Sequence, residues 1–231
     1  MQEVTVSRVV GLAWARFKAN AFPFIGLFLL AAIVSLIPIV GSLAYLLVFS
    51  PALARLSLVA IRQGKASFEQ AFSPFGKLLE AGLFLLVIQL VPALLILLGY
   101  GSSFLALFSM AGGEDMESGG GAWLSGSFVL VVLGVILVVL FSLFFWAGPY
   151  FILDSKKGMG EAFGASFSLF QRHVGQVIGL LVVSVVILLL GGLACGVGVL
   201  VAGPVVQLAW AALYVGLAEG ALPEAATGGQ G

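Results

Sequence analysis

Three polar side chains follow three prolines at short spacing: Arg55 lies four residues after Pro51, Asp154 five after Pro149 and Gln207 three after Pro204. A guanidinium, a carboxylate and an amide at matching places can build an ion pair completed by a neutral hydrogen-bond partner. The expected pairing is Arg55 with Asp154, with Gln207 filling their remaining hydrogen bonds. The alternative is that Arg55 snorkels to headgroups, Asp154 lies in water and Gln207 bonds a neighbouring backbone. Other chemistry has few bearers. His173 is the single histidine, which excludes a histidine metal cluster, and it is expected at the membrane interface without a catalytic role. Cys195 is the single cysteine, so an intrachain disulfide and a Cys-based metal site are excluded, and it is expected only to pack in a turn of small residues. Glu114, Asp115 and Glu117 form an acidic run among glycines, solvated or holding a cation, but without EF-hand spacing. The glycines of that run lack the Lys-Ser/Thr of a phosphate loop. Gln89 and Gln207 are expected in interhelical hydrogen bonds, and Ser35, Ser142 and Ser184 in bonds to their own helices. Glu80 suits a helix N-terminus. No catalytic residue, metal ligand or cofactor is expected, and the chain reads as no enzyme.

The elements that must position these groups follow from composition. The 231 residues are 61% hydrophobic and 9% charged, where a soluble domain carries about 25% charge. Four stretches, 19–54, 81–113, 118–153 and 174–218, hold no charged residue or histidine and cover 150 residues. One membrane-spanning helix needs about 20. A soluble fold and a disordered chain are excluded, and ten basic against ten acidic residues give no net charge to recruit nucleic acid. Helix breakers divide the stretches into six expected spans, about 21–38, 42–61, 80–98, 127–151, 174–190 and 199–217. The runs lack period-2 alternation, so the class is all-α rather than β-barrel. The basic residues Arg8, Arg16, Lys18, Arg62, Lys65, Lys77, Lys156, Lys157 and Arg172 fall on one side of these spans, and the acidic run falls on the other. By the positive-inside rule both termini are cytoplasmic. The expected location is a bacterial cytoplasmic membrane.

Those nine basic residues fall three to a segment, which points to an internal repeat. Each segment carries large apolar residues at relative positions 0, 4 and 7: Val10, Trp14, Phe17; Phe68, Phe72, Phe75; Phe163, Phe167, Phe170. At 100° per residue each trio occupies one helix face, which suits interfacial helices on the inner leaflet. Each even span then has a small residue before proline: Ser50-Pro51, Gly148-Pro149, Gly203-Pro204. Helix kinks are expected there, because proline leaves a carbonyl for a neighbour to satisfy. The units are about 4–61, 67–151 with an outer-loop insertion at 99–126, and 159–217, followed by a flexible polar tail at 218–231. The first and third align without a gap at an offset of 153. The whole is expected to be one membrane domain of three parallel repeats, each an interfacial helix plus a helical hairpin.

The stretch Gly148-Pro149-Tyr150-Phe151-Ile152-Leu153-Asp154, then Glu161-Ala162-Phe163 and Ser166-Phe167-Ser168-Leu169-Phe170, resembles a known group. These are bacterial polytopic membrane proteins of unknown function related to the membrane domain of some glycerophosphodiester phosphodiesterases. The resemblance covers about 148–190 and, more loosely, 4–61. It implies a multi-pass helical membrane protein; no phosphodiesterase domain is present and no catalytic residue carries over.

The function expected is a structural or interaction module that binds membrane lipid or another membrane protein. A transporter or channel for a hydrophobic, lipid-like or small solute is the alternative, and a membrane-embedded lipid enzyme comes last. The sequence does not set the oligomeric state.

Overall fold

A computed structural model describes residues 4–111, 120–154, 157–193 and 198–223. Those residues form helices and turns, with no strand among them. In chain order the helices are α1 (Val6–Ala19), α2 (Ala21–Ser35), α3 (Val40–Ala44), α4 (Ser50–Gln63), α5 (Phe75–Ala111), α6 (Gly120–Phe144), α7 (Gly148–Leu153), α8 (Met159–Arg172), α9 (Val174–Leu193) and α10 (Val199–Glu219). A π-helical turn, Tyr45–Phe49, joins α3 to α4, and a 3₁₀ turn, Phe68–Phe72, precedes α5. The chain divides into two compact units, Met1–Leu85 with Ala147–Gly231, and Leu86–Trp146.

Among the described residues, five helical segments are long and apolar enough to cross a bilayer: Val40–Gln63, Phe75–Phe104, Gly126–Phe144, Val174–Leu193 and Val199–Glu219. They mark a multi-pass membrane protein. The expected first span falls short. Helix α2 has 15 residues, about 22 Å, and qualifies only when joined to α1 across a 90° bend. The insertion at 99–126 also differs from expectation. Helix α5 runs on to Ala111 and α6 begins at Gly120, so most of that segment is helix rather than loop. Helix continues through Gly99 because α6 packs there: a Cβ on Gly99 would lie 2.9 Å from the Ser127 carbonyl and 2.6 Å from Val131.

The core of the first unit is α4 and α10. Their faces are almost wholly buried, from Pro51 to Ile61 and from Ala202 to Gly216. Helices α2 and α9 each bury a narrow line and leave the rest outward, with Phe22, Ile33, Leu189 and Leu193 well exposed. The buried lines share one spacing: Phe24, Leu27, Ala31 in α2 and Val177, Leu180, Ser184 in α9. These are offset by 153 residues, and Ala81, Phe84 and Ile88 of α5 repeat the spacing. Helices α1 and α8 have 14 residues each and end at Asn20 (φ −131°, ψ 27°) and His173 (φ −131°, ψ 31°), again 153 apart.

The proline motif acts by three different routes. Pro51 enters at the second residue of α4, just after the π turn in which the Ser50 N–H bonds the Tyr45 carbonyl. Without an N–H, Pro51 frees the Leu47 carbonyl. That oxygen lies 2.2 Å from where a Gly82 Cβ would stand, so α5 meets it with a bare Cα. Pro149 does not kink a span: the chain breaks after Phe144, and Pro149 starts the short α7, where a missing N–H costs nothing. Pro204 sits inside an unbroken α10. The small residue ahead of it has a packing role. A Gly203 Cβ would be 2.5 Å from the Phe28 ring, and a Gly148 Cβ 2.1 Å from the Phe84 ring.

Gly82→Ala is expected to destabilise the protein by about 1–3 kcal/mol, because backbone must move to admit the methyl. Gly26→Ala, with nothing within 4 Å of the added Cβ, is expected to be neutral or stabilising by up to about 1 kcal/mol. Thermal unfolding in detergent compares the two.

Candidate functional site

The charged residues near the end of the first unit converge on one carboxylate. Helix α4 ends at Gln63, with Gly64 at φ 82° as its C-cap, and Arg62 stands in the last turn. A cation is favoured there by the helix dipole. Helix α7 ends at Asp154, whose side chain is 6% exposed. Arg62 grips that carboxylate with both terminal nitrogens, Nη1 to Oδ1 in a short contact and Nη2 to Oδ2 at 2.9 Å. Arg62 Nη2 also donates to Glu219 Oε1 at 2.6 Å, at the end of α10. The Tyr214 hydroxyl donates to Asp154 Oδ2 at 3.3 Å. Its ring is stacked on Tyr150 (centroids 5.3 Å) and meets Phe151 edge-on (5.0 Å), so aromatic packing aims the hydroxyl. The ends of α4, α7 and α10 are thereby fastened to one group.

The expected Arg55–Asp154–Gln207 network is therefore corrected. Arg55 donates Nε to the Ser73 carbonyl at 3.1 Å and Nη1 to the Leu153 carbonyl at 3.3 Å, one residue short of Asp154. Gln207 is half-buried and is not among the partners of Asp154. The true partners, Arg62 and Tyr214, each lie seven residues beyond the expected ones. Seven residues return to nearly the same helix face about 10 Å further along. The separate short helix α7 brings Asp154 to the ends of α4 and α10, beside Arg62 and Tyr214.

Other polar side chains also tie segments together. Asn20, buried at the bend between α1 and α2, donates Nδ2 to the Arg16 and Gly64 carbonyls, each at 2.9 Å, and accepts the Ala66 N–H at 2.7 Å. Glu80 serves a helix N-terminus, but that of α8 rather than its own: Oε1 accepts the Met159 N–H at 3.0 Å, and Oε2 pairs with Lys77 at 2.7 Å. The buried Ser166 hydroxyl accepts the Ala147 N–H at 3.1 Å, just ahead of Gly148-Pro149. His173 pairs with Gln176 on the next turn, 3.0 Å away. In the second unit Gln89 donates to Ser142 at 3.4 Å, linking α5 and α6. Ser35 bonds the Ala31 carbonyl of its own helix. Cys195 and the run Glu114, Asp115 and Glu117 lie outside the described residues.

The aromatic trios are only partly turned into the packed faces. On α1 the inward residues include Val9 and Ala13, and on α8 they are Ala162 and Ser166, at the same offset of 153. Trp14 is 46% and Phe167 39% exposed. Phe17 is buried, Phe170 half-buried, and Phe163 packs on Phe84 with ring centroids 4.5 Å apart. The middle trio does not share a helix face. Phe68 and Phe72 lie on the 3₁₀ turn, Ser73 is extended before Pro74, and Phe75 opens α5. The residue before proline disfavours helix, which divides the segment. Phe68 and Phe75 are exposed and Phe72 is half-buried.

Residues 58–202 match a family described as "Protein of unknown function (DUF4013)". The match carries no link to glycerophosphodiester phosphodiesterases. No curated protein and no solved structure matches the chain.

Arg62→Ala and Asp154→Ala are expected to be non-additive, with a coupling of roughly 1–3 kcal/mol, whereas Arg55→Ala and Asp154→Ala add to within about 0.5 kcal/mol. Thermal stability of both double-mutant cycles in detergent gives the answer. Equal coupling in the two cycles would contradict the assignment of Arg62.

Proposed function

Since the chain belongs to this family of unknown function (DUF4013), we propose that it is a non-enzymatic structural and interaction module of a bacterial cytoplasmic membrane. Its partners in this reading are membrane lipid and another membrane protein. The observation that carries the reading is how the polar side chains of the first unit are used. Arg62, Asp154, Glu219, Asn20, Glu80 and Ser166 each join chain segments that are distant in sequence. The large side chains of α2, α5, α6 and α9 meanwhile face outward as apolar surface, which suits lipid.

The same reading includes six crossings, with α1 lying along the inner leaflet and α2 as the short first crossing. The 90° bend at Asn20 supports it, because a helix perpendicular to a crossing lies in the membrane plane. Three parallel repeats are part of the proposal. Their support is the matched breaks at Asn20 and His173 and the recurring buried lines. Transport of a hydrophobic or lipid-like solute is the second reading. One feature favours it: the π turn and Pro51 interrupt the regular ladder of a buried helix, and such interruptions recur at functional sites.

Cysteines at Ser7, Leu36 and Ser67, each on a Cys195→Ser background, separate the topologies. With six crossings, a membrane-impermeant maleimide labels Leu36→Cys in intact cells, and labels Ser7→Cys and Ser67→Cys only after lysis. Labelling of Ser7→Cys and Leu36→Cys from the same side would mean that α2 does not cross. Movement of a fluorescent lipid between the leaflets of proteoliposomes holding the purified chain would favour the transport reading.

A further inference from the structure

We infer that Arg55 binds the phosphate of an anionic phospholipid in the cytoplasmic leaflet. The inference rests on α4 being a crossing and names a lipid partner for it. Arg55 is half-buried, eight residues before the end of α4. Its Nε and Nη1 donate to the carbonyls of Ser73 and Leu153. Two neutral carbonyls orient a guanidinium without neutralising it. The acidic groups held near these elements are committed elsewhere. Asp154 takes Arg62 and Tyr214, Glu219 takes Arg62, and Glu80 takes Lys77 and the Met159 N–H. Among the described residues no carboxylate forms a salt bridge with Arg55.

A cation within a crossing that lacks a protein anion marks a ligand or headgroup contact. The second N–H of Arg55 Nη1 and the two of Nη2 are the donors left over. Phosphate is the anion that a bilayer presents near a helix end, and a planar guanidinium matches its oxygens. The segment that supplies the Ser73 carbonyl also carries Phe68, 40% exposed, and Phe75, 53% exposed. These rings offer apolar surface beside the headgroup for the upper acyl chain.

The test uses the full chain in detergent, titrated with phosphatidylglycerol, with phosphatidylcholine or with inorganic phosphate, and read by native mass spectrometry and thermal shift. Phosphatidylglycerol should bind about tenfold more tightly than phosphatidylcholine, whose phosphate is already paired with its own trimethylammonium group. Arg55→Gln should abolish that preference and Arg55→Lys should retain part of it. Lys18→Gln, at an exposed cation on α1, should leave it unchanged. Phe75→Ser, which keeps the guanidinium, should weaken phosphatidylglycerol binding without removing the preference; it provides a readout even if Arg55→Gln does not fold. Equal binding of the two lipids, an unchanged preference in Arg55→Gln, or an equal loss in Lys18→Gln would overturn the inference. So would full occupancy by inorganic phosphate, which would assign the site to the free ion. Any of these results obtained with the maleimide pattern of six crossings would leave the topology standing and remove only the lipid site.

Discussion

Asp154 is the constraint on which the arrangement of the first unit depends. A carboxylate that is 6% exposed must be met by donors, because an uncompensated buried charge is costly by several kcal/mol. It is met by Arg62 from α4 and Tyr214 from α10, and Arg62 is shared with Glu219. Helix α7 has only six residues and no turn of its own to spare. Its position is set by Pro149 at one end and by this ion pair at the other. Tyr150, Phe151, Ile152 and Leu153 are buried between them. The ion pair therefore specifies where the chain re-enters the core after α6, more than it adds stability.

Close packing explains the rest of the motif around α7. The ring of Phe84 occupies the space a Gly148 side chain would need, and it also packs on Phe163 of α8. Ser166, one turn further along α8, takes the Ala147 N–H that the chain break leaves without a helical acceptor. The small-Pro pair, the acidic residue and the serine of the next helix thus form one structural device. Its parts are a ring against glycine, a helix start at proline, an ion pair at the helix end and a serine on the broken ladder.

Much of this was legible in the sequence, because membrane constraints act on composition and punctuation. Continuous charge-free runs mark the long helices, and glycine, proline and the ends of those runs mark most boundaries. An offset of 153 relates the identities Phe17/Phe170, Leu27/Leu180 and Pro51/Pro204. Leu27 and Leu180 are both fully buried in the structure. Three things were not legible. The break after Phe144 lies in apolar sequence, so neither the place of Asp154 at the helix ends nor its pairing with Arg62 is marked there. Tyr214 gave no signal, because a tyrosine on an apolar helix resembles any other core aromatic until Tyr150 and Phe151 are brought beside it. The 3₁₀ turn at Phe68–Phe72 preserved an aromatic spacing that only a continuous helix would turn into one face.

The central claim is that the carboxylate of Asp154 fastens α7 to the ends of α4 and α10. Hydrogen–deuterium exchange of the full chain in lipid nanodiscs, compared between wild type and Asp154→Asn, tests it most directly. The account predicts faster exchange of the amides of 148–154 and of 214–219, with the amides of 126–144 unchanged as the internal reference. Wild-type exchange at both sets in Asp154→Asn would contradict it, and α7 would then be held by packing alone.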